Sequence, residues 1–162
     1  MKIATPSIAS ILALLFSAFS ATGWAACLDS GVQLQILGSG GPGPASGRAS
    51  SAYILWVDGV GRIMVDAGSG TKNLFHQSGA NLNDIELIAL SHLHPDHSAE
   101  LPAILWPQGG SFTLSGPDGA GVFPSISNFT DGLFGEGGVF QILQDRLDLQ
   151  VVEVDTDRKS VV

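Results

Sequence analysis

The sequence contains little cysteine and little positive charge. Cys27 is its one cysteine in 162 residues, which excludes an internal disulfide framework and a cysteine-rich zinc knuckle. Lysine and arginine number 7 against 15 aspartates and glutamates, so the formal net charge is −8. Because surfaces that bind nucleic acids cluster lysine and arginine, this balance argues against such a surface, and we expect no nucleic-acid partner.

The first 26 residues have the pattern of a secretory signal peptide. Lys2 gives a positive start, an apolar run occupies 8–16, and Gly23-Trp24-Ala25 offers a cleavage site of the small-x-small type. The run is shorter than the roughly 20 residues that a membrane span needs, so no span is expected after cleavage. We expect an exported protein, periplasmic or secreted, whose domain occupies 27–162. Ala25-Ala26-Cys27 also resembles the end of a lipoprotein signal, which leaves a lipid anchor at Cys27 open.

Apolar and alternating runs predict a single α/β domain. Asp58-Gly59 predicts a hairpin between the second and third strands. A new apolar run begins at 160–162, after a polar turn, so we expect a domain that is incomplete at its C-terminus. Strands are expected at 32–37, 52–57, 62–65, 86–90, 112–115 and 147–154, and helices at 70–77 and 98–106.

Three of the four histidines fall within the segment His92-Leu93-His94-Pro95-Asp96-His97. Residues two apart do not share a face of a helix, but they point the same way in extended chain, and Pro95 favours an extended His94. His92 and His94 can therefore bind one metal ion, while Asp96 and His97 turn towards a neighbouring position. Imidazole nitrogen and carboxylate oxygen suit zinc, and also manganese or iron. The alternative is a solvated polar loop that happens to be rich in histidine.

Two other features have structural interpretations. Residues 38–43 fit the spacing G-x-G-x-x-G, but a dinucleotide site needs a helix that starts on those glycines, and Pro42 and Pro44 favour an irregular loop. His76 lies near the end of a predicted helix, where its charge suits the helix dipole.

The segment His92–His97 resembles the HxHxDH signature of the metallo-β-lactamase fold hydrolases. Asp66-Ala67-Gly68 resembles the family's earlier aspartate-containing strand end, and Gly38-Ser39-Gly40-Gly41 and Gly116-Pro117-Asp118-Gly119 resemble the ribonuclease Z-like branch. The resemblance implies a four-layer αββα sandwich, of which this chain supplies the N-terminal half or more. It also implies two zinc ions, with manganese or iron as alternatives.

The resemblance assigns roles to five residues. His92 and His94 would hold the first metal, and Asp96 and His97 the second. Asp96 would also be catalytic, steering protons from the attacking water. Asp66 would orient the metal-binding loop; the alternative is a turn aspartate that caps the next helix.

The predicted function is an exported metal-dependent hydrolase that activates water against an ester-type bond, with a small-molecule phosphodiester or sulfate ester favoured. The family completes its site with further histidines and an aspartate, whereas no histidine follows His97 in this sequence. A non-catalytic or inactive binding module of the same fold is therefore one alternative, and a β-lactamase is another.

Overall fold

The structure, a computed structural model, describes residues 29–43 and 47–155. The predicted signal peptide, Cys27 and the apolar run at 160–162 lie outside these residues. In the described part, no helix has the length and apolar character needed to cross a membrane.

Six strands form one mixed sheet in the order β1-β2-β3-β4-β5-β6. The pairs β1–β2 and β2–β3 are antiparallel, and the pairs β3–β4, β4–β5 and β5–β6 are parallel. Each predicted strand is confirmed within a few residues. The strands are β1 (Val32–Gly38), β2 (Ala52–Val57), β3 (Val60–Val65), β4 (Leu87–Ala89), β5 (Gly110–Pro117) and β6 (Leu147–Val154).

The hairpin between β2 and β3 is confirmed at Asp58-Gly59. Both residues have positive φ, 49° and 76°, as a two-residue hairpin turn that follows the sheet twist requires. The Asp58 side chain also accepts a hydrogen bond from Gly31 N at 2.8 Å, which ties the turn to the start of β1.

In the part of the chain that the structure describes, four α-helices connect the strands, and the longest of them was not predicted. The helix expected at 98–106 is instead two short helices with Glu100 between them, because the Glu100 backbone (φ −94°, ψ 2°) is not helical. Pro95 and Pro102 lie in the first turns of these two helices, where proline is tolerated. The helices are α1 (Thr71–Ser78), α2 (Pro95–Ser98), α3 (Leu101–Leu105) and α4 (Ile126–Phe134), with 3₁₀ turns at Leu82–Asp84 and Gln141–Arg146.

The core lies between one face of the sheet and the helices. Buried strand residues such as Ile54, Met64 and Ile88 cluster with helix residues such as Leu101 and Ile126. The opposite face is apolar but uncovered at β1, where the exposed fractions are 68% for Val32, 61% for Leu34 and 61% for Ile36. The described residues thus form one sheet with its helices, and the predicted α/β class is confirmed.

Candidate metal centre

The histidine segment follows β4 directly. Leu90 is buried, and its N–H donates to Ser115 O at 2.8 Å, which holds the end of β4 against β5. His94 is extended (φ −62°, ψ 147°), and α2 begins at Pro95, as expected for a residue that precedes proline. The chain therefore turns from strand to helix within the segment.

His92 and His94 lie side by side. His92 Nε2 and His94 Nδ1 are 3.0 Å apart, and the ring centroids are 4.7 Å apart. The His97 and His92 ring centroids are 3.9 Å apart, and the two ring planes are tilted by 47°. The pKa of His92 is lowered from its ordinary value, first by burial and then by repulsion from His97 and His94. The neutral imidazole is the form that binds a metal, so this environment favours ligation.

Asp66 holds the histidine segment in place from the end of β3. Its carboxylate accepts from Ser91 N at 2.8 Å, from Ser91 Oγ at 3.0 Å and from Ser51 Oγ at 3.3 Å. His97 Nδ1 lies 2.8 Å from Asp66 Oδ2, and the Asp66 side chain is only 3% exposed. Since a carboxylate oxygen accepts, Nδ1 carries the proton, and His97 Nε2 is left with its lone pair.

The helix-cap alternative for Asp66 is wrong. The residue that precedes α1 is Gly70, and no side chain caps the helix from that position. Asp66 instead has a left-handed backbone (φ 61°), which turns the chain out of β3 and aims the carboxylate at Ser91 and His97.

His97 Nε2 lies 3.6 Å from Asp96 Oδ2 within the short helix α2. The two side chains are 20% and 13% exposed, so both reach the surface of the site. The loop after Asp66 supports this turn, because Ala67 N donates to His97 O at 2.7 Å.

Two residues that support the histidine segment were not predicted from the sequence. Glu100 accepts from Gly70 N and from Lys72 N, each at 2.7 Å, so its carboxylate joins α1 to the turn before α3. Ser91 is the principal donor to Asp66. The neighbouring sequence does not predict either contact, because each joins residues at least 25 positions apart.

Two of the glycines at 38–43, Gly38 and Gly40, allow close packing of the chain. Gly40 N donates to Ala49 O at 2.8 Å, and a Cβ on Gly38 would stand 2.8 Å from that same oxygen. The next described element after this loop is the strand β2 rather than a helix, so the structural interpretation is favoured. His76 lies in the last turn of α1, as predicted.

The donor set fits a transition metal ion in chemistry and in pairwise distance. Zn–N bonds of about 2.0 Å at a tetrahedral angle place two ligand nitrogens about 3.3 Å apart, close to the 3.0 Å between His92 and His94. Within 29–43 and 47–155, no three His, Cys, Asp or Glu side chains are arranged as a complete metal-binding group. The structure thus brings the predicted ligands together in pairs, His92 with His94 and Asp96 with His97.

Comparison with known proteins agrees with this geometry. A family model described as the metallo-beta-lactamase superfamily matches residues 45–105. The metallo-beta-lactamase fold protein YhfI from Bacillus subtilis has a TM-score of 0.54 at 19% identity, covering 76% of this chain and 45% of that one. Human tRNase Z, short form, has a TM-score of 0.54 at 23% identity, covering 75% and 45%.

Curated relatives point to one branch of this fold. Ribonuclease Z from Clostridium tetani is 35% identical over 95 residues, which are 56% of this chain and 30% of the relative. Ribonuclease Z from Pyrobaculum aerophilum is 40% identical over 75 residues, 46% of this chain and 26% of the relative. The described residues share the metallo-β-lactamase fold, and part of the chain is similar in sequence to proteins named ribonuclease Z. That part spans less than a third of the length of these curated relatives.

Similarity to proteins named ribonuclease Z and tRNase Z corrects one expectation. The net charge of −8 and the signal-peptide pattern favoured a small-molecule ester as substrate and excluded nucleic acid. The similar proteins carry the names ribonuclease Z and tRNase Z, so that exclusion is wrong. Net charge was a poor guide to the substrate because it averages over the whole surface, whereas a substrate contacts only one site.

Proposed function

We propose that this chain carries part of the active site of a metal-dependent hydrolase that cleaves phosphodiester bonds in RNA. The observation that supports this most is the anchored histidine segment, in which the facing nitrogens of His92 and His94 are 3.0 Å apart while Asp66 holds His97 from the end of β3. The similarity to proteins named ribonuclease Z supports the substrate class.

His92 and His94 would hold one zinc ion, and Asp96 with His97 a second. Bound zinc polarises the phosphoryl oxygens and makes water nucleophilic at neutral pH. Asp66 keeps the proton of His97 on Nδ1, so that Nε2 faces the site as a ligand. Asp96 would also accept the proton that the attacking water releases.

Metal binding is tested with the fourth histidine as a matched control. The purified chain is stripped with EDTA and titrated with zinc against a chromophoric chelator, together with His92→Gln, His94→Gln and His76→Gln. We expect the first two variants to lose tight zinc binding and His76→Gln to retain it, because His76 lies on α1 outside the histidine segment. Equal affinity in all four proteins would refute the metal centre.

Catalysis is tested on a fluorophore-labelled single-stranded RNA with zinc or manganese added. We expect cleavage that EDTA abolishes and that Asp96→Asn lowers by at least 100-fold, the range typical of a lost general base. Cleavage that persists in EDTA or in the variant would contradict the proposal.

We also propose that the protein is exported, on the basis of the pattern in residues 1–26. N-terminal sequencing of the chain recovered from a bacterial host, with the periplasm and the cytoplasm separated, tests this. A mature N-terminus near Cys27 in the periplasmic fraction is expected, and an intact Met1 in the cytoplasm would refute it.

A further inference from the structure

A pocket of about 210 Å³ opens beside His92 and His94. It lies between the segment from Ser91 to His94 and the loop that follows β5, from Pro117 to Phe123. Drug-sized ligands occupy pockets of about 300–1,000 Å³, and benzene fills an apolar cavity of about 150 Å³. The volume therefore suits one planar ring system rather than an extended ligand.

The far wall of this pocket is a constrained turn. Ala120 and Phe123 exchange two backbone hydrogen bonds, of 3.2 and 3.0 Å. Gly119 has φ 90°, and a Cβ there would approach Ser125 N to 2.8 Å, so the turn admits only glycine at this position. The backbone thus fixes where the Phe123 side chain projects.

Phe123 presents an aromatic surface next to the histidine pair. Its ring centroid lies 5.1 Å from that of His94, at an interplanar angle of 70°, and the residue is 48% exposed. Leu93, Ala120 and Pro117 supply apolar surface around it. A half-exposed aromatic ring in a constrained turn is suited to stacking against a planar partner.

Aromatic rather than ionic contacts suit this wall of the site. The described side chains that line the pocket include no lysine or arginine, so a substrate gains little there from neutralised phosphates, which are a usual source of affinity for nucleic acids. Base stacking on aromatic rings needs no positive charge and tolerates any sequence.

From these observations we propose that the pocket is a subsite for one nucleobase adjacent to the scissile phosphodiester, and that the base stacks on Phe123. The inference rests on the proposed function, and it names the contact through which the substrate is positioned.

Binding is measured with a short single-stranded RNA that carries one 2-aminopurine, whose fluorescence falls when the base stacks. The protein is kept in EDTA so that no cleavage occurs. Phe123→Ala, Phe123→Trp and the control Phe140→Ala are compared, because Phe140 is similarly exposed (40%) and borders a different cavity. Thermal unfolding of each variant confirms folding.

We expect Phe123→Ala to bind about 5- to 150-fold more weakly, the loss typical of one stacked base. Phe123→Trp should bind within threefold of the parent and quench the probe, and Phe140→Ala should be unchanged. The ratio between the affinities of the parent and of Phe123→Ala should change little with salt, because stacking neutralises no phosphate.

Equal binding by Phe123→Ala and Phe140→Ala would overturn the subsite, even if the metal-loaded chain cleaves RNA. A chain that quenches the probe through Phe123 but never cleaves RNA would instead support the subsite and refute the hydrolase. The two failures are thus distinguishable.

Discussion

Replacing Asp66 by asparagine tests whether the end of β3 controls the metal centre. Asparagine keeps the side-chain volume, tolerates φ 61° and can still accept from Ser91 N. Its amide group cannot satisfy His97 Nδ1 in the way that Asp66 Oδ2 does at 2.8 Å. The Ser91 and Ser51 hydroxyls, which donate to the same Oδ2, can turn to accept from the new amide group. The net change is therefore the loss of one hydrogen bond, from His97 Nδ1, to a charged, nearly fully buried acceptor.

The expected loss follows from that single contact. A hydrogen bond to a charged group contributes about 1.5–3 kcal/mol, so the free energy of unfolding should fall by that amount. Zinc affinity should fall by about 10- to 100-fold, as is typical when the group that orients a metal-binding histidine is lost. Urea denaturation of the metal-free chain and zinc titration against a chelator measure the two effects separately.

Asp58→Asn is the matched control. Asp58 and Asp66 are the two non-glycine residues with positive φ in the described chain, but Asp58 is exposed in the hairpin turn. Asparagine can still accept from Gly31 N there, so the stability change should stay below about 0.5 kcal/mol, with zinc binding unchanged. If both variants bind zinc as tightly as the parent, Asp66 does not control the metal centre.

Three further predictions concern contacts around the site and away from it. Glu100→Gln should lower the unfolding free energy by about 1.5–3 kcal/mol and weaken zinc binding, measured as for Asp66, because both carboxylate oxygens hold backbone N–H groups. Gly68→Ala should unfold the chain or lower its thermal midpoint by more than 10 °C, because the new Cβ would lie 2.6 Å from the Ser50 side chain. The pKa of Glu153 is lowered, mainly by a hydrogen bond from Ser125, so its stabilisation is present above about pH 4.5 and lost as the pH falls. Glu153→Gln should therefore have a lower free energy of unfolding than the parent at pH 7, and this difference should disappear as the pH falls to 3. A difference that stays constant over this range would refute the prediction.

The conformation of the histidine segment was predictable from the sequence, because a proline and the spacing of the histidines affect only neighbouring residues. Pro95 sets the conformation of His94, and an extended chain places His92 on the same side, which the 3.0 Å approach of their nitrogens confirms. Contacts between distant residues, such as Glu100 with Gly70, are fixed only when the sheet brings the loops together.

The strands were predictable, but the direction of their faces was not. In β1 the apolar residues alternate with Gln33 and Gln35, which suggests that the apolar side faces the core. Gln35 instead accepts from Trp56 Nε1 at 2.9 Å, while Leu34 on the other face is 61% exposed. Alternation shows that a strand has two faces, but the packing of the helices decides which of them is covered.

Helix α4 was not predicted because several of its residues have low helix propensity. Gly132, Thr130 and Asn128 have low helix propensity. The helix forms because Ser125 caps its N-terminus, where the Ser125 hydroxyl oxygen accepts from Asn128 N at 3.3 Å, and because Ile126 and Phe134 are buried in the core. Tertiary burial overrides local preference here.

The order of the strands explains why residues far apart in sequence form one site. β3, β4 and β5 are neighbouring parallel strands, so their carboxyl ends meet at one edge of the sheet. Asp66 follows β3, the histidine segment follows β4, and the turn that carries Phe123 follows β5. Ligands of open α/β sheets bind at such an edge. The order of the strands therefore places the Asp66 carboxylate, the histidine segment and the Phe123 ring side by side. Each can be substituted without changing the strand that carries the next.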